Sequence, residues 1–467
     1  MPSIRPTYAA AAAALLLLAV APPAAAQAIL RPAADSRVAR IVSSISETRL
    51  RTLVDRLAAF GTRHTLSDVT SPSRGIGAAR QFIYDELARS SPRLQVTFAT
   101  FRVARQGRIT RDVELRNVVA LLPGRSARRI YVTAHYDTVS TGPQGAHGPN
   151  TRPAGQPAPP DPQLDASQDY DADAPGANDN ASGTALTMEL ARVLASADVT
   201  FDATLVFVLW AGEEQGLIGA RAQVRSLAID EVVIDAAFNN DIVGNSHGGD
   251  GSRDARSVRV YAAGPEDSMS RALARHVQRA AATYVRGHRV RLMARDDRFG
   301  RASDHSAFTE HDYPAVVFRE AAENFRRQHS PSDTADGVDA RYLAQNARVN
   351  AAAAASLALA PPAPVVTTIV NGRFQPTIGR QPSGYDANLR WAASPGAASY
   401  RIYWRDAWTP DWQHSVAVGN VTSHVLEGLS IDNHVFGVAA VDATGHQSLI
   451  SAYVVQPRSE PDVSLLP

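Results

Sequence analysis

Cysteine is missing from all 467 residues, and so is lysine, because the 47 basic side chains are all arginine. The first absence excludes thiol nucleophiles, disulfides and sulfur-ligated zinc. The second excludes a lysine Schiff base and a P-loop lysine. Neither sign of charge is in excess: 47 basic residues face 46 acidic ones, for a formal net charge of +1. No run of basic residues creates a local field, so nucleic acid is not an expected partner. Past the N-terminal segment, no apolar run reaches the ~20 residues that a membrane-spanning helix needs. A tightly held metal must therefore rely on His and carboxylate.

What is present divides the chain. Arg5, an apolar stretch from Ala9 to Ala21, the break Pro22-Pro23 and the small residues 24–28 follow the order of an export signal. The stretch is too short to span a bilayer, so we expect residues 1–28 to be removed and the protein to act in the periplasm or outside the cell, without stable membrane insertion. Hydrophobic residues make up 45% of the chain, enough for a sizeable core and, at this length, two domains. Amphipathic helical spacing runs through Val38–Phe60 and Ile76–Ala88. Short β-branched runs then alternate with helical patterns: 94–103, 113–122, 130–134, 203–210, 232–239, 258–263 and 315–318 as strands, 184–196 and 269–284 as helices. Such alternation predicts an α/β domain over 29–360, with a mixed, largely parallel sheet flanked by helices on both faces. An Ala-rich helix from Asp339 to Ala360 closes it, and the proline-rich 361–364 is the linker. Residues 140–175 form a long insertion of Gly, Pro, Gln and Asp. Its Asp161, Asp165, Asp169, Asp171 and Asp173 lack the ordered calcium-loop pattern and read as a solvated loop.

Five side chains suited to a metal lie where apolar runs give way to turns. His135 ends Ile130–Ala134, with Asp137 two residues on, on the same side, able to hold the far ring nitrogen. Asp179 lies among small residues just before a helix, a place where a plain N-cap is the ordinary alternative. Glu213 and Glu214 follow the strongest apolar strand. Adjacent carboxylates there repel unless a cation is near, and the pair can divide ligation from proton transfer. Asp241 closes the next strand, and His329 sits in a Ser- and Pro-containing loop. Jointly these five supply what two zinc ions ~3.5–4 Å apart require when a carboxylate bridges them.

The segments HYD (135–137), GANDNASG (176–183), AGEEQGLIGA (211–220), NNDIVG (239–244), SDHSAF (303–308) and HSPSDT (329–334) occur in this order. In this the chain resembles the co-catalytic zinc exopeptidases, which include secreted bacterial aminopeptidases, glutamate carboxypeptidases and, more distantly, glutaminyl cyclases. The resemblance covers about 38–360. It implies two Zn2+, Asp179 as the bridging ligand, His135 and Asp241 on one ion, Glu214 and His329 on the other, and Glu213 as general base. It places Asp137 behind His135, Asp304 and His305 nearby, and a cis peptide after Asp179. A peptide is then the expected substrate, and aminopeptidase the expected activity, with carboxypeptidase or dipeptidase as the alternative.

Two other classes compete. Gly244-Asn245-Ser246-His247-Gly248 matches the G-x-S-x-G elbow of serine hydrolases, yet the Gly249-Asp250-Gly251 that follows is a poor helix start. A non-catalytic binding protein on the same scaffold is the other, since fold does not dictate function. Beyond the linker, the period-two runs 389–391, 400–405 and 435–442 predict a small β-sandwich over 365–457, followed by a tail, 458–467. This segment resembles a fibronectin type III module, with His434 where that family has a corner tyrosine, and could contact a surface or polymer.

Overall fold

The computed structural model describes residues 27–28, 34–141, 170–370, 373–380 and 383–454. The stretch expected to be an export signal therefore lies outside the described residues except for a two-residue strand, β1 (Gln27–Ala28). Most of the long insertion, 142–169, lies outside them as well. No described helix is long and apolar enough to cross a membrane.

The chain next forms helices α1 (Ser36–Ser43) and α2 (Glu47–Ala58), where sequence periodicity had suggested one continuous run. The break has a local cause: the Ser46 hydroxyl caps α2 by accepting the Arg49 N–H, as Ser does at helix starts. There follow α3 (Gly75–Ser90), β2 (Gln95–Val103), β3 (Val113–Leu122), β4 (Arg129–His135), α4 (Ala181–Ser196), β5 (Thr204–Trp210), α5 (Ile218–Ile229) and β6 (Ile234–Asn240). The domain ends with β7 (Ser257–Ala262), α6 (Met269–Tyr284), β8 (Arg289–Met293), α7 (His305–Thr309), β9 (Ala315–Glu320) and α8 (Ala340–Leu359). Strand β8 escaped the sequence reading because Arg289 and Arg291 break its apolar run.

These strands make one eight-stranded sheet in the order β2-β3-β5-β4-β6-β9-β7-β8. The central four, β5, β4, β6 and β9, are parallel; β2, β3 and β7 bring antiparallel pairings, so the sheet is mixed. Residues buried on both faces explain the unbroken apolar runs of β4 and β5. On one face Val132, Phe207 and Phe238 pack with Leu53 of α2, Leu190 of α4, Leu273 of α6 and Leu343 of α8. On the other, Tyr131, Val208 and Trp210 meet Val224 of α5 and Phe308 of α7. The chain leaves β4 for β5 on one side and β6 on the other, so a crevice opens at the C-terminal ends of these strands.

The C-terminal region folds as small antiparallel sheets, a five-stranded one that includes β1 and a three-stranded one, with a separate two-stranded hairpin. Leu389 and Leu426 of the three-stranded sheet share a core with Ile402, Trp404, Phe436 and Val438 of the five-stranded one. This module is anchored to the α/β domain through Arg405, which grips Asp267 at 2.7 and 2.8 Å, and through His446, 3.0 Å from Asp35. Asp267 lies just past β7, whose last residue, Ala262, pairs with Val316 at the start of β9. The described residues of the module are thus anchored at the sheet edge opposite the crevice.

Phe238 is fully buried in β6 and lies 6.4 Å from Phe318 of β9, ring to ring. Phe238→Ala is expected to cost about 3–5 kcal/mol of stability, a value typical of buried aromatic truncations, measured as a lower urea midpoint at unchanged slope.

Candidate metal centre

Strand ends deliver four of the expected residues directly: His135 closes β4, Glu213 and Glu214 follow β5, and Asp241 follows β6. Asp179 arrives by a different route, on the turn that opens α4, and His329 from the loop past β9. All of them converge. His135 Nε2 lies 3.5 Å from Asp179 Oδ1 and 3.6 Å from Asp241 Oδ1. His329 Nε2 lies 3.1 Å from Asp179 Oδ2 and 3.2 Å from Glu214 Oε2. One Asp179 oxygen therefore faces each imidazole–carboxylate pair, which makes two three-residue clusters joined by a single carboxylate. Glu213 stands against His135 and Glu214 in a third grouping. His329 and Glu213 keep partial exposure, while His135, Asp179, Glu214 and Asp241 are buried, so the clusters open to solvent at the Glu213–His329 side.

The surroundings hold these groups by main-chain hydrogen bonds. The Asp179–Asn180 peptide is cis, as the resemblance implied. The Asn180 side chain accepts the Gly183 N–H and donates to the Asn240 carbonyl, tying the start of α4 to the end of β6. Gly183 is required there, since a Cβ would come within 2.2 Å of the Asn240 oxygen. Asp333 accepts the amides of Asn178 and Asp179 at 3.0 and 2.9 Å. Arg319, wholly buried in β9, spans Asp241 at 2.8 Å and Asp297 at 2.9 Å, and Ser303 donates to Asp241 at 2.6 Å. Arg63 donates only to carbonyls, those of Tyr136, Leu57, Pro175 and Gly176, and so joins α2, the end of β4 and the turn before Asp179. Asp333, Arg319 and Arg63 had no assigned role in the sequence. An arginine inside the apolar strand Ala315–Phe318-Arg319 was the one legible sign.

Asp137 differs from its expected part. Its carboxylate is 3.7 Å from His135 Nδ1, which instead meets the Asp137 backbone oxygen at 3.2 Å. The carboxylate accepts the amides of Glu213 and Glu214, both at 3.1 Å, because the turn after β5 passes directly over it. Asp137 thus orients the acidic pair by its side chain and the imidazole by its main chain. Ser246, the serine of the G-x-S-x-G match, is fully buried and donates to Asp339 at 2.7 Å in a loop with no helix behind it. It has none of the exposure a nucleophile needs. Beside the crevice, Arg298 is held by Glu323 and Arg301 by Gln328. Of the insertion's acids, Asp173 pairs with Arg74 at 2.9 Å.

The charge balance asks for cations. Burial pushes the Glu213 carboxyl well above its usual range, and Glu214, Asp241 and Asp304 reinforce this against the pull of His135. Asp304 is driven up likewise, by burial first. Burial would keep His135 and His329 neutral, but the surrounding carboxylates outweigh it and raise both imidazoles. Among the described residues, Glu214 Oε1, Asp241 Oδ1 and both Asp304 oxygens are buried without a hydrogen-bond donor. Acceptors left in this state cost ~1–3 kcal/mol each, more when charged. Imidazole and carboxylate donors at these separations suit zinc, so the residues fit a zinc centre.

Fold and site together define a metallohydrolase of the open α/β type. The family model for Peptidase family M28 matches residues 117–354. A probable zinc metalloprotease of Pyricularia oryzae is 35% identical over 458 residues, covering 89% of this chain and 84% of the relative. Among solved structures, the LapA aminopeptidase of Legionella pneumophila superposes with a TM-score of 0.51 at 18% identity, over 70% of this chain and 76% of that one. A glutaminyl cyclase of Porphyromonas gingivalis gives 0.51 at 16%, over 66% and 97%. The chain belongs to peptidase family M28 and is a zinc metallopeptidase.

Asp333 shapes the turn that presents Asp179, and an amide in its place would set an NH2 against one of two N–H groups. Asp333→Asn is therefore expected to weaken zinc binding by about 10- to 100-fold, the usual cost of losing a residue that orients a ligand, as read by competition with a chromogenic chelator.

Proposed function

We propose that this metallopeptidase is an aminopeptidase that holds two zinc ions and uses Glu213 as its general base. The observation that carries the reading is the division of Asp179, one oxygen toward His135 and Asp241, the other toward His329 and Glu214. His135, Asp179 and Asp241 would hold one ion, and Asp179, Glu214 and His329 the other. Zinc, when bound, lowers the pKa of water toward ~7 and polarises a carbonyl. The chain's own residues supply the remainder. Glu213 lies beside His135 and Glu214 with partial exposure, and its raised proton affinity suits it to take a proton from the attacking water and return it to the leaving amine. Asp137 keeps Glu213 and Glu214 from drifting by fixing both their amides. The LapA likeness favours cleavage at a free N-terminus, with carboxypeptidase or dipeptidase action as the alternative.

The first 28 residues support export, and with it a site of action in the periplasm or outside the cell. The C-terminal sandwich is read as fibronectin type III-like: His434 Nδ1 meets the Ser430 carbonyl at 3.0 Å, the kind of upstream backbone bond a corner tyrosine makes. Contact with a surface or polymer is the role that such a module, held away from the crevice, can serve.

Glu213→Gln should lower turnover by about 10²-fold or more while both metals stay bound, because only the proton acceptor is lost. Metal analysis beside the rate measurement checks this, and loss of zinc in the variant would reassign Glu213 as a ligand. Peptides with free N-termini should be shortened from that end and their N-acetylated forms left intact, with a chelator abolishing both the activity and the difference.

A further inference from the structure

Strands β7 and β8 begin on the crevice edge of the sheet, one and two positions outward from β9. Here the segments 253–256 and 286–289 meet the first turn of α8 around a cavity of about 690 Å³. Arg253, Arg256, Arg286, Arg289 and Arg341 line it. All five are exposed, and among the described residues none of their guanidinium groups is paired with an acid. The two carboxylates in the wall are already committed. Asp254 accepts from Ser257 at 2.6 Å and Arg291 at 2.5 Å, and Asp339 accepts from Ser246 at 2.7 Å and from the Tyr342 amide at 3.0 Å. The amino end of the 20-residue helix α8 adds its positive pole to the same wall.

Guanidinium groups of one sign gathered round a concavity focus a positive potential and match tetrahedral oxyanions by paired N–H donors. The volume falls within the ~300–1,000 Å³ of small-molecule sites, too confined for a long polymer. One singly charged group cannot balance such a wall. We propose that this cavity binds a compact multivalent oxyanion, a small molecule carrying two or more phosphate or sulfate groups. The site is separate from the zinc clusters and uses none of their residues.

Isothermal titration of the zinc-loaded full chain, near physiological salt, tests this with fructose 1,6-bisphosphate, a trisulfated disaccharide and inorganic sulfate as the single-charge-centre reference. At least one multivalent probe should bind about tenfold or more tighter than sulfate, and the preferred probe tells a phosphate ligand from a sulfate one. The double variant Arg286→Gln/Arg341→Gln should weaken that binding about tenfold or more, since two charge-assisted contacts are lost, with peptidase turnover unchanged. Arg102→Gln/Arg105→Gln, at the opposite sheet edge, removes the same charge and should leave affinity within about twofold, as a screened long-range effect requires. Multivalent probes no tighter than sulfate, equal losses in both double variants, or a stronger response to an acidic peptide would each overturn the proposal.

Discussion

The structure depends on a repulsion that it does not resolve internally. Asp179, Glu213, Glu214, Asp241 and Asp304 crowd one crevice, with Asp137 directly beneath. Two like charges ~4 Å apart at a protein-like effective dielectric repel by about 4 kcal/mol, and several such pairs meet here. Arg319 neutralises part of this at Asp241, whereas among the described residues the Asp179 and Glu214 carboxylates form ion pairs only with imidazoles, and Arg108 reaches the Glu214 backbone carbonyl and not its carboxylate. Divalent cations are the remaining means of balance, and the orphaned oxygens of Glu214 and Asp241 mark where the chain leaves room for them. The fold is a scaffold that tolerates this charge until metal arrives.

That tolerance comes from main-chain dipoles. Asp137 and Asp333 each take two consecutive amides, 213–214 and 178–179, and so fix the turns that bear the acids without adding a positive side chain that would compete with metal. Burial lifts the Asp137 carboxyl to about 6 and the Asp333 carboxyl to about 7, while those amides pull the other way. With the sheet rigid and the turns pinned, the ligand geometry is set before a metal binds, which is how a preorganised site avoids reorganisation during reaction.

Much of this was legible in the sequence because the chemistry is carried by residue type at strand ends. His135, Glu214 and Asp241 follow apolar runs whose ends a reader can place within a residue or two, and the central parallel strands bring such ends together by topology alone. Asp179 and His329 do not terminate strands, and only their motifs distinguished them from a helix cap and a loop histidine. The Asp137 carboxylate was misjudged because local spacing pointed it at His135, whereas the turn after β5, remote in sequence, claims it. Arg63, Asp333 and the arginine-lined cavity were out of reach for the same reason. Their meaning lies in contacts across 73 to 155 positions, or in three segments that are unremarkable singly.

The absence of lysine, which at first only excluded mechanisms, acquires a structural sense here. Every cationic task falls to a planar group that stays charged when buried and forks to two partners. Arg63 answers carbonyls on three segments, and Arg319 answers two carboxylates at once. An ammonium is a compact point charge that gives up its proton readily when buried, so it could serve one of these partners at a time and would lose its charge in such a setting. Burial does lower the Arg63 guanidinium, but only to about 10, which leaves it ionised across the range where a peptidase works. The turn carrying Asp179 is therefore held by a cation that does not switch off.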